Sequence, residues 1–167
     1  MTFKELCEAR YSVRAYKNEP IDAEKLAYVL ECARLAPSAV NRQPWRLHVL
    51  TSPDDLAKAC ECYNREWIRT APAVIAVTVM RNEAWVRSID GKFHGDIDAA
   101  IITEHICLAA AEQGLGTCWV CNFNADRFHT LMNLPADEQP VALIPIGSPA
   151  SSPTPKSRRP LSEITHS

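Results

Sequence analysis

The chain contains 167 residues, of which 47% are hydrophobic, and its formal net charge is −2. This length and hydrophobic content fit one domain, residues 1–167, with a buried core. The nearly balanced charge favours neither a nucleic-acid nor a membrane-surface partner, so we expect small molecules or a second copy of the chain as partners.

The cysteines and the first residues favour a cytoplasmic location. The seven cysteines are an odd number scattered over a domain too large for a secreted disulfide scaffold, so we expect reduced thiols. Residues Met1–Arg10 include four charged side chains and lack the apolar stretch of a signal peptide. The longest apolar run, Ala71–Met80, is too short to span a bilayer.

Capping signals predict three helices in the first part of the chain. Thr2 followed by Glu5 is a capping-box pattern, which predicts a helix at the very start. A second helix follows Asp22 and should stop near residue 36, because Pro37 disfavours helical geometry in the residue before it. Ser52, followed by a proline and two aspartates, begins a third helix.

Strands and two further helices complete the predicted elements. Asp98 is expected to cap a long apolar helix that Gly114 ends in a left-handed conformation, and Asn124 caps another. Beyond residue 147 the composition becomes rich in proline, serine and basic residues, which predicts an extended arm over 148–167 rather than a core element. The predicted strands are Trp45–Thr51, Ala73–Met80, Thr117–Cys121 and Val141–Ile146.

Two basic clusters lie near the ends of the chain. In an extended segment Arg10, Ser12 and Arg14 project to one side, and two guanidiniums beside a hydroxyl suit a phosphate or a carboxylate. Lys156 and Arg158 form the second cluster with Arg159. Each cluster is equally consistent with a solvated charged turn, whereas a fold that joined them would create one anion site.

Glycine usage excludes the common phosphate-binding loops. Gly114-Leu115-Gly116 lacks the third glycine of the dinucleotide fingerprint and stands after a helix and before a strand, the reverse of the required order. The sequence contains no Walker A motif either. A phosphorylated cofactor would therefore be held by side chains.

A loop with two prolines offers neutral hydrogen-bonding groups. Between Pro37 and Trp45, the side chains of Ser38, Asn41 and Gln43 could bind a ring edge with alternating donors and acceptors, as in a flavin. The same residues also populate ordinary helix-to-strand loops for reasons of turn geometry alone.

Taken together, four segments in this order resemble the FMN-dependent nitroreductase family in its short form. They are Arg10–Arg14, Pro37–Trp45, Gly114–Trp119 and Lys156–Pro160, and the resemblance covers residues 3–164. It implies an α/β (α+β) three-layer fold with a central mixed, mainly antiparallel sheet between helices. It also implies a homodimer with FMN at the interface and a C-terminal arm exchanged with the partner subunit.

The resemblance also assigns residues to the FMN site. Around the phosphate, ribityl chain and pyrimidine edge it places Arg10, Tyr11, Ser12, Arg14, Lys156 and Arg158. From the other subunit it brings Pro37, Ser38, Asn41 and Gln43, and Asn64 looks like an asparagine that touches the flavin in relatives. Near flavin N5 it places the backbone of Thr117, Cys118, Trp119, Val120 and Cys121, although many relatives have glycine or glutamate near Cys121.

The implied activity is transfer from NADH or NADPH through flavin N5 to a nitroaromatic, quinone or other electron-poor small molecule, in a ping-pong cycle. No catalytic side chain and no metal is expected. Reductive dehalogenation and enone reduction remain open as the reaction. A flavin store or sensor without turnover is the main alternative.

Other motifs admit a functional interpretation but favour a structural one. Cys118 and Cys121 form a C-x-x-C, but a strand would send the two thiols to opposite faces, which argues against a thiol oxidoreductase. The spacing of Cys60 and Cys62 to that motif matches no common zinc site. His94 could line the acceptor pocket, and the aromatic residues that could stack on a substrate are Trp67, Trp85 and Phe93.

Overall fold

The computed structural model describes residues 1–153 and 155–165. The helices are α1 (Phe3–Ala9), α2 (Ala23–Arg34), α3 (Pro53–Cys62), α4 (Gly95–Glu112) and α5 (Ala125–Leu131). Three short 3-10 turns cover Ala39–Asn41, Glu66–Thr70 and Leu161–Glu163. The strands are β1 (Trp45–Leu50), β2 (Ala73–Met80), β3 (Gly116–Thr117) and β4 (Glu138–Gly147).

The predicted capping residues begin four of the helices. Thr2 forms the capping box with Glu5 at α1, and Asp22 accepts two backbone N–H groups at α2. Ser52 caps α3 and Asn124 caps α5 in the same way. Each side chain satisfies a backbone donor that the first helical turn leaves without an internal partner.

The four strands form one sheet in the order β1-β2-β4-β3, with every neighbouring pair antiparallel. A single parallel bridge between Ser12 and Thr117 adds the N-terminal segment beside β3. The expected mixed, mainly antiparallel sheet is therefore confirmed.

Alternate residues of the central strands supply two cores, one on each face of the sheet. On one face Ile75 and Val77 pack with Ile144 against α2 and α4. On the other face Val74 and Leu143 pack with cysteine and aromatic side chains around α3 and α5. Because strand side chains alternate between faces, the chain forms three layers with the sheet in the middle.

Two predicted strands differ from the observed ones by more than one residue. β4 begins at Glu138, earlier than the predicted Val141, because a register shift opposite Val77 and Thr78 lets the strand continue through Pro140. The segment Thr117–Cys121 is regular only in its first residue, and its later pairing is a single bridge between Val120 and Leu143.

Within the described residues, no helix is both long and apolar enough to cross a bilayer.

A buried carboxylate joins three strands. Glu138 is 5% exposed, and its Oε1 accepts hydrogen bonds from Thr78 Oγ1 on β2 and His48 Nε2 on β1, each at 2.5 Å. Burial raises the pKa of Glu138, but the bonds from Thr78 and His48 outweigh it, so the pKa lies below its ordinary value of 4.5. The ionised form therefore stabilises the fold, and this contribution is lost as the pH falls through the lowered pKa.

We expect Glu138→Gln to lower the free energy of unfolding at pH 7 by about 1–2 kcal/mol, because a neutral amide accepts these bonds more weakly. The deficit should shrink as the pH falls through the lowered pKa, since the wild type then loses its own carboxylate. Urea unfolding from pH 7 to pH 3 measures both effects. Glu83→Gln, at a half-exposed pair with Arg46, is the control, and a deficit that stays constant with pH would contradict the assignment.

Candidate functional site

The N-terminal basic segment lies in a fixed position beside β3. Val13 donates its backbone N–H to the Thr117 carbonyl at 2.9 Å and is 1% exposed. Its side chain presses on Gly116, where a Cβ would lie 2.4 Å from a Val13 methyl group, so this approach requires glycine. Ser12 and Arg14, on either side of Val13, are exposed as the period of two predicts.

The electrostatic surroundings of Cys118 connect the N-terminal segment to the residues after β3. Burial raises the pKa of the Cys118 thiol. The positive charge of Arg14, a hydrogen bond with Ser12, and the positive charge of Arg10 each lower this pKa. These three side chains therefore lie close enough to act on the thiol. The structure thus brings residues 10–14 and the start of segment 117–121 together.

The C-terminal arm returns to the same region. It first pairs with the N-terminal segment, since Lys17 donates to the Ser148 carbonyl at 2.9 Å and Ala150 to the Ala15 carbonyl at 2.8 Å. Tyr11 then donates its hydroxyl to the Ser151 carbonyl at 2.7 Å. Within this chain the start of the arm therefore lies against residues 11–17.

Lys156 fixes the arm on the C-terminal end of α1. Its Nζ donates to the carbonyls of Cys7, at 2.8 Å, and Glu8, at 2.5 Å, where a cation also suits the negative end of the helix. Burial lowers the pKa of Lys156, and the positive charges of Arg10 and Arg158 lower it further. The two basic clusters of the sequence therefore meet within one chain, whereas the family resemblance implied that the arm is exchanged with the partner subunit.

This group of cations fits a phosphate. Among the residues that the structure describes, ion pairs involve other basic residues, and Arg10, Arg14, Lys156 and Arg158 have none. Neighbouring cations without acidic partners repel one another until an anion neutralises them. A dianionic phosphate supplies the matching charge and the hydrogen-bond acceptors.

Asn64 lies near the far end of segment 117–121. It is exposed and lines a polar depression of about 450 Å³ that also contains Asn122 and Asn124. Asn124 donates its backbone N–H to the Cys62 carbonyl at 2.8 Å, which holds the two loops together. The depression therefore adjoins the residues that follow Cys121.

Segment 117–121 alternates between the core and the surface. Cys118 and Val120 are buried, whereas Trp119 and Cys121 are exposed. The two thiols of the C-x-x-C therefore occupy different environments, as strand alternation predicts. In residues 1–153 and 155–165, no cluster of three or more histidine, cysteine or acidic side chains could hold a metal ion.

The loop between α2 and β1 has an unusual backbone. Val40, Asn41 and Gln43 have positive φ angles of 53°, 56° and 49°. A β-branched residue such as Val40 rarely adopts this region, at a cost of about 1–3 kcal/mol, and such strain persists only where other contacts impose it. Ser38 Oγ closes the loop by accepting the Gln43 N–H at 2.8 Å.

Asp98 anchors this loop, and the prediction that it caps α4 is wrong. The helix begins earlier, at Gly95, and Asp98 lies inside its first turn, 1% exposed. Its Oδ1 accepts the Ala39 N–H at 2.8 Å. The sequence does contain a sign of this burial. Asp98 stands four residues before Ile102, and this spacing puts the acidic residue on the apolar face of the helix.

The loop and the basic segment lie at opposite ends of α4. Asp98, in the first turn, holds the loop, whereas Thr117, just beyond the last turn, holds the basic segment. At 1.5 Å per residue, Asp98 lies about 20 Å along the helix from its end at Glu112. The structure therefore does not bring Pro37, Ser38, Asn41 and Gln43 to the basic cluster of the same chain.

The aromatic candidates do not form one common wall. His94 stacks on Trp85 with ring centroids 4.6 Å apart, and a Cβ on Gly95 would meet the Phe93 ring. Trp67 instead packs edge-on against Tyr63 at 5.6 Å. Only the first group adjoins the start of α4.

An apolar groove lies along the outer side of α4. Phe3 of α1 is 70% exposed, and with Ile101 and Leu108 it lines a cavity of about 500 Å³. The rim carries Glu104, His105 and Glu112. Exposed apolar patches rimmed by polar groups are typical of protein–protein contacts.

Comparisons with known proteins agree with this fold. The model of the nitroreductase family matches residues 7–61 and 56–148. The structure of a nitroreductase family protein from Clostridium difficile 630 superposes with a TM-score of 0.94, at 38% identity over 99% of this chain and 98% of that chain.

Two further relatives are more distant. A NADH dehydrogenase of Thermus thermophilus is 26% identical over 93% of this chain and 90% of that protein. A protein of Exiguobacterium sibiricum 255-15, crystallised in complex with FMN, has the same fold, with a TM-score of 0.87 and 24% identity over 99% of this chain and 97% of that chain.

Proposed function

Because the chain belongs to the nitroreductase family, we propose that it is an FMN-dependent NAD(P)H oxidoreductase that works as a homodimer. The observation that carries this proposal is the meeting of the two basic clusters, in which Lys156 and Arg158 lie near Arg10 and the N-terminal cluster adjoins Cys118. A protein of the same fold is known in complex with FMN, and the curated relative from Thermus is a NADH dehydrogenase.

The basic cluster would hold the phosphate end of FMN. Arg10, Arg14, Lys156 and Arg158 supply the charge, and Ser12 supplies a hydroxyl next to the ribityl chain. Lys156 already uses two of its donors on α1, so it contributes mainly as a fixed positive charge. The two arginines of the N-terminal segment are exposed or half-buried and can form paired bonds to phosphate oxygens.

The ring end would lie along segment 117–121. The backbone N–H groups of Cys118 and Val120 already donate to carbonyls of β4, so those of Trp119 and Cys121 would be the donors to the ring near N5. Asn64 would reach the ring edge from the neighbouring depression. When bound, FMN would supply the redox chemistry between NADH or NADPH and a nitroaromatic, quinone or similar acceptor. The chain contributes binding, orientation and positive charge, which favours added negative charge on the cofactor.

The separation along α4 is the reason for proposing a dimer. Asp98, which holds the loop, lies about 20 Å along α4 from Glu112, and the basic segment packs beyond that end of the helix, so we assign the loop with Ser38 and Gln43 to the flavin of the other subunit. Two chains that pack their α4 grooves in opposite directions would bring the loop of one to the cluster of the other. Each cofactor would then contact Pro37, Ser38, Asn41 and Gln43 of the partner subunit.

We expect the purified protein to be yellow, to release FMN on denaturation, and to oxidise NADH or NADPH steadily in the presence of a quinone such as menadione. Absorbance at the flavin and nicotinamide bands measures both properties. Protein that bleaches once with NAD(P)H but never turns over would instead indicate a flavin store. A colourless protein that does not take up added FMN would overturn the proposal.

The same assay distinguishes the proposed flavin chemistry from the alternative of a thiol oxidoreductase. Replacing both Cys118 and Cys121 by serine should cause only a modest loss of turnover, because the proposed chemistry belongs to the cofactor. Complete loss in a variant that still binds FMN would favour a thiol oxidoreductase.

We expect Arg14→Ala to raise the Kd for FMN by about 10- to 100-fold, because it removes a charge-assisted contact to the phosphate. Quenching of FMN fluorescence on titration of the apoprotein measures this affinity. Lys58→Ala, which removes a positive charge paired with Asp55 on α3, is the matched control and should leave the Kd unchanged. Equal affinities for wild type and Arg14→Ala would contradict the phosphate site.

We expect Leu108→Glu to yield monomers that no longer retain FMN, because it puts a charge into the apolar groove and removes the partner's loop. Sedimentation and flavin content measure the two effects. Ile89→Glu, at a side chain that is 92% exposed, controls for the added charge. A wild type that binds FMN tightly as a monomer would contradict the proposed dimer.

A further inference from the structure

The strained loop over residues 38–43 has few contacts of its own to hold it. The side chains of Val40, Asn41 and Gln43 are exposed, and Val40 in particular is 72% exposed. The bonds within the loop join Gln43 to Ser38 and Asn41, Asn41 to Ser38, and Arg42 to Ala39, so they close the loop without attaching it to the core. Outside the loop, the exposed Arg42 side chain donates a long bond of 3.4 Å to the Glu83 carbonyl. A left-handed valine needs an attachment from outside the loop to remain in that conformation.

Asp98 provides an attachment to the core. Its Oδ1 accepts the Ala39 N–H, the residue directly before Val40, at 2.8 Å. Its backbone lies in α4 directly before Ala99 and one turn before Ile102, both fully buried in the core, so the acceptor cannot follow the loop if the loop moves.

The second oxygen of this carboxylate argues for a positional role. Oδ2 is buried and has no hydrogen-bond partner among the residues that the structure describes. A buried acid with an unsatisfied oxygen is a poor choice for stability alone, because a well-packed apolar residue there is often neutral or stabilising. The carboxylate is explained by the one bond that it makes to the loop.

We propose that Asp98 is a positioning residue that fixes loop 38–43 in the conformation that presents Ser38, Asn41 and Gln43 to the flavin bound by the other subunit. The inference rests on the proposed function, and it assigns no chemical step to Asp98. Its action passes from α4 through the Ala39 N–H to the left-handed Val40. The fixed loop binds the ring without first losing conformational freedom, and this raises the affinity for FMN.

The first experiment does not depend on FMN. Hydrogen exchange of the Ala39 amide in flavin-free protein should become much faster in Asp98→Ala and remain slow in Asp98→Asn, since the asparagine oxygen can still accept the bond. Thr103→Ala is the control, because Thr103 is a buried polar residue of the same helix whose hydroxyl donates within that helix, to the Ala99 carbonyl at 2.7 Å. Unchanged exchange in Asp98→Ala would overturn the anchoring role.

The second experiment measures the Kd for FMN by fluorescence quenching in the same variants. We expect Asp98→Ala to weaken binding about tenfold, and Asp98→Asn and Thr103→Ala to stay within about threefold of wild type. Adding Val40→Gly to Asp98→Ala should recover part of the lost affinity, because glycine adopts positive φ without strain. A loss in Asp98→Ala no larger than in Thr103→Ala, or no recovery with Val40→Gly, would overturn the proposal.

Two further outcomes keep the inference separate from the proposed function. If wild type binds no FMN, the proposed function fails while the exchange of Ala39 still decides the anchoring. If Asp98→Ala does not fold, Ala39→Pro removes the same bond from the loop side. Ser38 has the extended φ and ψ of −137° and 162° that a following proline allows, so this variant should reproduce the weaker FMN binding.

Discussion

The structure depends on one set of backbone hydrogen bonds, which fix residues 11–17 between β3 and the start of the arm. Val13 bonds to Thr117 on one side, and Ala15 and Lys17 bond to residues 148–150 on the other. The segment is short and has no helix or strand of its own, so these neighbours determine its position. They bring the beginning and the end of the chain together, and each end carries basic side chains.

The consequence is electrostatic. The chain as a whole is slightly acidic, with a net charge of −2, yet it concentrates Arg10, Arg14, Lys156 and Arg158 in one region. Glycine-rich phosphate loops bind through backbone N–H groups and a helix N-terminus. Here side chains and the fold's two ends supply the charge, and glycine serves at Gly116 to admit Val13 to the sheet edge.

Local signals in the sequence predicted the elements well, because caps and strand periodicity depend on nearby residues. Thr2 and Ser52 begin helices as expected, and Gly114 has a φ of 72° after α4. The predictions that were wrong concerned features that depend on residues far away in the sequence. Aspartate is a residue type that commonly caps helices, and only the packing of the Ala39 loop against α4 shows that Asp98 is an internal anchor. The early start of β4 similarly depends on a bulge opposite β2.

The candidate site was predicted in part for the same reason. The period of two fixed the directions of Ser12 and Arg14, and alternation separated Cys118 from Cys121. The contact of Lys156 with α1 involves residues almost 150 positions apart and cannot be derived from local patterns. The roles of these residues toward FMN stay predictions.

The position of the loop and the basic segment at opposite ends of α4 has a genetic consequence for the proposed dimer. Each site would combine the basic segment of one chain with the loop of the other. A lesion at Arg14 would therefore impair the basic segment, and a lesion at Asp98 would impair the loop. In a mixed dimer of the two mutant chains, both lesions would fall in one site and the other would be intact. Two alleles that each weaken FMN binding could therefore complement each other, with up to one intact site per mixed dimer.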